Sequence, residues 1–292
     1  MTDIIKILLE IKHFSQMLNE RFENFKKCST KFAQKSRLEI VEFHITEHCN
    51  LNCKSCVHFS PLAEEEYLPL DIFQSDIKRL KELTEGNINT INLFGGEPLL
   101  NRDVTEYLKI ARDSFSKSTI NLVTNGILLM EQDDFFWNTL KNYNITIAIT
   151  EYPINIDYEK IFQKAEEQGV KTIFFASNKK NSQWHFPLDL DGKQNKYYNF
   201  AHCQEANQCT NIYHGKLFIC PIASNIRHFN KFFDKNIPIT KYDYIDIYKT
   251  KNIKNILRFI SMPTPVCKYC NIKARTFDNQ WEVSKKSITE WT

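Results

Sequence analysis

Cys49, Cys53 and Cys56 stand at i, i+4 and i+7 in the stretch Cys49-Asn50-Leu51-Asn52-Cys53-Lys54-Ser55-Cys56. Cysteine thiolates hold iron–sulfur clusters, ordinarily four to a cube. Three thiolates in this spacing suit three irons of one cube and leave the fourth iron open to a small ligand. The competing chemistry is zinc, which usually takes paired C-x2-C units and closes its tetrahedron with four protein ligands. His48 or His58 would supply the missing ligand in that case. The three cysteines by themselves leave both readings open.

A second stretch narrows the choice. Ile91-Asn92-Leu93-Phe94 reads as a buried strand, and Gly95-Gly96-Glu97-Pro98 follows directly. Two glycines remove side chains, so that a ligand approaches the backbone closely. Glu97 adds a carboxylate suited to an ammonium group, and Pro98 stops the strand. Such a turn is weak evidence alone; after a C-x3-C-x2-C loop and one intervening helix it is strong.

Together the two stretches resemble the radical S-adenosylmethionine (SAM) enzymes. The resemblance implies that Cys49, Cys53 and Cys56 bind a [4Fe–4S] cluster whose open iron is chelated by the amino and carboxylate groups of SAM. Gly95, Gly96 and Glu97 would hold the amino group. One electron from the cluster would then cleave SAM to a 5′-deoxyadenosyl radical, the cofactor carrying the hard chemistry and the protein positioning it. The chain departs from the family at Ser55, where an aromatic residue usually stands; Phe59 is the residue that would replace its packing against adenine.

A second cysteine set, Cys203, Cys209, Cys220, Cys267 and Cys270, fills the C-terminal third. Thr210 to Cys220 reads as a hairpin with His214-Gly215 at its turn. Cys267-Lys268-Tyr269-Cys270 is a C-x2-C knuckle, with a helix at about 251–261 between. Four such thiolates suit zinc or iron–sulfur equally well. Behind the first motif, Cys203-x11-Gly215-x4-Cys220 followed by the knuckle resembles the twitch domain, a shortened SPASM extension. That implies a second [4Fe–4S] cluster on Cys203, Cys220, Cys267 and Cys270 and leaves Cys209 spare. A spare thiol is either simply buried, a ligand in place of Cys203, or a hydrogen-atom donor to a substrate radical from the face opposite SAM.

These residues need elements to position them. Glu39-Ile40-Val41-Glu42-Phe43-His44-Ile45 reads as the strand before the first cysteines. Strands are expected at 39–46, 88–94, 119–124, 145–150 and 171–176, and helices at 70–86, 102–117, 132–142 and 157–168. This alternation predicts parallel strands joined by right-handed crossovers. A full eight-unit barrel takes roughly 250 residues, so the expected class is α/β, a partial (β/α) barrel of five or six units, as the resemblance also implies. Loops at the carboxyl ends of its strands build the site: the cysteine loop, Gly95 to Glu97, Thr124-Asn125-Gly126, Thr150-Glu151 and Ser177-Asn178. Asn125 and Glu151 are candidates for polar contacts to SAM or substrate, against a plain turn and a solvated carboxylate. Residues 179–202, with Trp184, His185, Phe186, Tyr197 and Tyr198, read either as a cover over the cavity or as a surface connection. An amphipathic helix is expected over residues 3–27, packed on the enzyme's own surface or serving as a dimer contact. The expected units are residues 1–37, 38–202 and 203–292.

The 292 residues carry 42% hydrophobic and 25% charged side chains and a net charge of +3. This is an ordinary globular balance that gives no reason to expect nucleic acid. The apolar runs are too short for a membrane span, and Lys6, Glu10 and Lys12 break up any signal peptide. Reduced, clustered thiols fit a cytoplasmic location. The reading is a radical SAM enzyme with an auxiliary cluster that abstracts hydrogen from a small polyhydroxylated substrate, sugar- or aminocyclitol-like, giving oxidation or epimerisation. An electron donor such as flavodoxin or ferredoxin would reduce it. The alternatives are a maturase of ribosomal peptides and a non-catalytic zinc-binding protein.

Overall fold

The computed structural model describes residue 26, residues 28–177 and residues 183–292. The helix expected over residues 3–27, Lys26 excepted, and Asn178 lie outside the described residues, as does the dimer contact assigned to that helix.

From Leu38 the chain alternates strand and helix: β1 Leu38–Thr46, α1 Leu70–Thr84, β2 Ile88–Gly95, α2 Val104–Ser114, β3 Thr119–Thr124, α3 Asp134–Asn142, β4 Thr146–Glu151, α4 Tyr158–Glu167 and β5 Thr172–Ser177. The expected elements are all present, with ends displaced by a few residues where caps intervene. In α1, Phe73, Ile77 and Leu80 recur at steps of four and three and are buried. The helix stops where Glu85 and Gly86 turn left-handed, at φ 53° and 72°.

The strands pair in parallel in the order β5-β4-β3-β2-β1. Their residues alternate between two faces. One face, with Val41, Phe43, Ile45, Ile91, Leu93, Ile120, Leu122, Ile147 and Ile149, joins the main core. The other face is layered. Glu42, Asn92, Asn121 and Thr146 stand in register across β1 to β4. One step nearer the carboxyl ends, Phe94, Val123 and Ala148 form a separate apolar cluster.

The C-terminal third extends this sheet. β7 Thr210–Tyr213 pairs in parallel with β1, with Asn211 opposite Glu42. β8 Lys216–Phe218 and β9 Tyr244–Asp246 follow antiparallel, so the order of the eight-stranded sheet is β5-β4-β3-β2-β1-β7-β8-β9. The expected hairpin is present: His214 and Gly215 turn it with φ of 47° and 71°, a pair of positive values that matches the strand twist. Outside the sheet, β6 Gln183–His185 pairs with β10 Thr276–Asn279; of the helices α5 Lys196–His202, α6 Pro221–Phe233 and α7 Ile253–Ile260, α6 packs on β7 and β8 and α5 on the Pro265–Tyr269 turn. The arrangement is a mixed α/β fold whose parallel sheet is consistent with a partial barrel. No helix among the described residues is long and apolar enough to cross a membrane.

Candidate active site

β1 delivers the chain at Thr46 to the cysteine loop, which is held at both ends. Glu47 is 3% exposed, and its carboxylate meets the His228 ring nitrogen and the Arg227 guanidinium of α6, each at 2.9 Å. Within the loop Asn52 and Ser55 have φ of 52° and 57°; asparagine tolerates that region, whereas serine there costs energy that surrounding bonds must offset. Those bonds come from the C-terminal segment. The Lys54 amide donates to Glu282 O at 2.9 Å and the Ser284 amide to Asn52 O at 2.8 Å. The Ser55 hydroxyl donates to Glu290 O at 2.6 Å, and the Trp291 indole N–H to Cys56 O at 2.9 Å. Ser55 thus fastens the tail. Phe59 does not face the cavity as expected: it is 1% exposed and packs against Phe229 and Trp291 in the core.

The Gly95-Gly96 turn lies directly on this loop. The Gly96 amide donates to Thr46 O at 2.8 Å and the Glu97 amide to His48 O at 3.1 Å. A Cβ on Gly95 would sit 1.9 Å from Thr46 O, and one on Gly96 2.0 Å from His48 O. The glycines are therefore required first by the chain's own backbone, and only then by whatever enters the cavity they line. Glu97 departs further from expectation. Its carboxylate is fully buried and accepts from the Thr124 hydroxyl at 2.7 Å and the amides of Leu99 and Asn125 at 3.0 and 2.9 Å. Burial pushes its pKa up to about 7 against those bonds. Glu97 braces the β2 turn against β3; the backbone of Gly95 and Gly96 is what the cavity sees.

Asn125 forms the expected turn and also faces the cavity. Its Oδ1 accepts from the Ile127 amide at 2.9 Å, forming the turn, while its Nδ2 donates to Asn50 Oδ1 at 2.8 Å and its side chain lines the cavity beside Cys49. Glu151 is 4% exposed and so is no solvated carboxylate. Thr150 and Tyr152 line the cavity in its place, because alternation along the strand sends their neighbour to the other face.

The cavity measures about 300 Å³, at the small end for ligand sites. Cys49, Cys53 and Cys56 form one side with Gly95, Gly96 and Asn125, over a floor that includes Phe94 and Val123. Tyr152, Phe175, Trp184, Phe186 and Trp281 supply aromatic walls, and Glu205 adds a carboxylate. The 179–202 segment therefore contributes Trp184 and Phe186 to the wall, while Tyr197 and Tyr198 are exposed on α5.

The thiols suit a cluster. The Leu51 amide points at Cys49 Sγ at 3.4 Å and the Trp281 indole N–H at Cys53 Sγ at 3.3 Å. Burial pushes Cys49 and Cys53 up to about 12 and raises Cys56 as well. Thiols raised in this way give up their protons more readily when a metal supplies the opposing charge. Among the described residues no three His, Cys, Asp or Glu side chains converge on the place of a single metal ion. His48 turns to Tyr67, ring centres 5.1 Å apart, and His58 sits edge-on to His44 and Phe94. Neither completes a zinc tetrahedron with the cysteines. In a cube each thiolate binds its own iron, so no such convergence is needed.

The second set is gathered from three places. Cys203 ends α5, Cys220 precedes α6, and Cys267 and Cys270 lie on a tight turn, Pro265–Tyr269, and its exit. Burial raises Cys220, with the neighbouring thiols of Cys267, Cys270 and Cys203 adding to it; it also raises Cys270 and takes Cys267 to about 11. The Asn199 amide of α5 reaches the carbonyls of both Cys267, at 2.7 Å, and Cys270. The Ala206 amide and the Arg275 guanidinium donate to Cys203 Sγ at 3.3 and 3.5 Å.

Cys209 stands apart from this group. Burial raises its pKa, and the carboxylates of Glu42 and Glu205 raise it further. Its neighbour Glu42 belongs to the polar layer of the sheet: Asn92 and Asn211 donate to its two oxygens at 3.3 and 2.9 Å. Cys209 is not among the described residues that line the cavity, as a hydrogen-atom donor to bound substrate would have to be. Just before β7, it sits beside Glu42 and so beside the polar layer of the sheet.

Sequence reasoning missed Glu205, Trp281 and Trp291. Glu205 carries no motif beyond lying between two cysteines. The tail residues act from more than two hundred positions away and have no local signal.

Residues 43–157 match the family model described as Radical SAM superfamily. An S-adenosylmethionine-dependent nucleotide dehydratase of Selenomonas ruminantium is 37% identical over 90 residues, 31% of this chain and 31% of that protein. A GTP 3′,8-cyclase of Nautilia profundicola is 30% identical over 101 residues, 35% of this chain and 31% of that protein. The chain thus spans about a third of the length of these curated relatives. Among solved structures, BtrN in complex with AdoMet and 2-DOIA aligns with a TM-score of 0.49 and 13% identity, over 82% of this chain and 94% of that one. The cysteine loop, the Gly95-Gly96 turn and Asn125 all fall inside the matched residues, and this part of the chain is a radical SAM domain.

Proposed function

We propose that the protein is a radical SAM enzyme with two [4Fe–4S] clusters that acts on a small polyhydroxylated substrate, sugar- or aminocyclitol-like, by oxidation or epimerisation. The observation that carries the reading is the meeting of three half-buried thiols, the Gly95-Gly96 backbone and Asn125 on one side of a single cavity. Cys49, Cys53 and Cys56 would hold the first cluster, and Cys203, Cys220, Cys267 and Cys270 the second. Bound at the first set, a [4Fe–4S] cluster supplies the electron that cleaves SAM to a 5′-deoxyadenosyl radical.

The chain's own residues do the rest. The Gly95 and Gly96 backbone receives the amino group of SAM, and Asn125 holds the cysteine loop in place. Tyr152, Phe175, Trp184, Phe186 and Trp281 exclude water, which protects a reactive intermediate and strengthens every polar contact inside. The Glu205 carboxylate is suited to accept from a hydroxyl or ammonium group of the substrate. A soluble donor such as flavodoxin or ferredoxin is the proposed reductant, and a cytoplasmic setting suits the free thiols.

A second reading, a nucleotide substrate, is favoured by the aromatic walls, which suit a planar base, and by the similarity to a nucleotide dehydratase and a GTP cyclase. Those likenesses cover the shared core, so they weigh lightly on substrate.

The test is SAM cleavage by anaerobically reconstituted protein. Wild type should release 5′-deoxyadenosine, and joint replacement of Cys49, Cys53 and Cys56 by Ala should abolish it. Cleavage that survives the triple change sinks the reading. Stimulation by nucleotides but not by aminocyclitols or sugars would transfer the assignment to the second reading, and stimulation by a peptide would make the protein a maturase. A colourless preparation holding zinc alone would make it a zinc-binding protein.

A further inference from the structure

We infer that Trp281 is a positioning residue of the first cysteine site: its indole N–H donates to the Cys53 sulfur and raises the reduction potential of the cluster held there. The inference rests on the reading of Cys49, Cys53 and Cys56 as cluster ligands.

Trp281 Nε1 lies 3.3 Å from Cys53 Sγ. An indole nitrogen only donates, so the direction of the bond is fixed by chemistry. The contact is also held from both sides in sequence. Val283 bridges to Cys53 in antiparallel fashion, with the Lys54-to-Glu282 and Ser284-to-Asn52 backbone bonds around it and a Lys54–Glu282 ion pair at 2.6 Å. Farther along, Glu290 and Trp291 tie the tail to Ser55 and Cys56. A side chain placed by so many neighbours has little freedom to turn away. Tyr152 flanks the same sulfur, its ring 6.2 Å from that of Trp281.

The reduced cluster carries one more negative charge than the oxidised one. A donor aimed at a ligating sulfur stabilises that extra charge, and hydrogen bonds to sulfur and solvent exposure are among the levers that set cluster potentials. The bond is part-buried, and lower local polarity than bulk water strengthens such an interaction. No other residue of the tail reaches a thiol of this set among the described contacts. The C-terminal segment thus both covers the cysteine loop and eases the arrival of the electron.

The experiment is a redox titration of full-length, anaerobically reconstituted protein followed by electron paramagnetic resonance. The first cluster is recognised by the change of its signal on adding SAM. Trp281→Phe keeps a ring and removes the N–H. The expected result is wild-type iron content with a midpoint potential shifted to more negative values, while Trp281→His, which keeps a ring N–H, shifts it less. An unchanged potential at unchanged iron content overturns the proposal. The wild type is also tested directly: tryptophan labelled at the indole nitrogen should show a nitrogen coupled to the first cluster's signal. Absence of that coupling overturns the proposal whether or not the variants hold iron. A wild type that holds no cluster at all would instead overturn the reading of the site.

Discussion

The two cysteine sets are brought together in opposite ways. Cys49, Cys53 and Cys56 lie within one loop, and the chain's path out of β1 already sets them beside each other. Cys203, Cys220, Cys267 and Cys270 come from separate turns and helix ends. They meet only because β7 docks on β1 and Asn199 ties α5 to the knuckle. The first set needs the fold to cover it; the second needs the fold to exist. The difference teaches that a local motif gathers its thiols cheaply in entropy, whereas an assembled one must close long loops first.

The largest effect that bears on this contrast is iron content. Changing Cys267 and Cys270 to Ala should remove about four irons of eight and leave the first site able to cleave SAM, if the sets hold separate cubes. Loss of both sites together, measured by iron analysis and 5′-deoxyadenosine release, would break the comparison by showing that the sets are not independent.

Trp291→Ala removes the ring that packs under the first loop, 1% exposed and in contact with Phe59 and Phe233. Truncation of a buried Trp costs about 3–5 kcal/mol. Chemical denaturation should show that loss, and hydrogen exchange should rise at residues 49–56 more than at the knuckle.

The polar layer beneath both sets predicts a pH dependence. Burial pushes the Glu42 carboxyl from 4.5 up to about 7. A carboxyl with a raised folded-state pKa contributes stability that is present below its unfolded pKa and is lost as pH rises through the folded one. Wild type should therefore lose stability between about pH 4.5 and about pH 7, by up to about 3 kcal/mol. Glu42→Gln should flatten that part of the melting-temperature profile. An equally steep profile in the variant would assign the dependence elsewhere.

The smallest effect sharpens the comparison from the second side. Asn199 is 2% exposed and donates to two knuckle carbonyls. Asn199→Ala leaves those carbonyls short of a partner, at about 1–3 kcal/mol. The second site should lose iron on mild chelation sooner than wild type, while the first site keeps its SAM response. Equal loss at both sites would contradict the local character assigned to the first loop.

What the sequence by itself determined was whatever is written in short range. The alternation of strands and helices from Leu38 to Ser177 was legible because apolar periods of two and of three to four record which face meets the core. The first cysteine triplet and the glycine pair were legible because the residue types and spacing are themselves the chemistry. The hairpin turn at His214-Gly215 was legible from its glycine. Only the tertiary structure decided the rest. Glu97 looked like a ligand and became a brace, because a fully buried carboxylate takes the nearest three donors. The paired glycines looked like an opening for a ligand, yet two carbonyls of the β1 loop already fill the space of their missing Cβ atoms. Cys209, spare in sequence, was brought to the side of Glu42 by the docking of the following strand β7 on β1. The tail that covers the first loop left no trace in its own residues, because a hydrogen bond between positions 53 and 281 depends on where the whole chain returns, and no local pattern encodes that return.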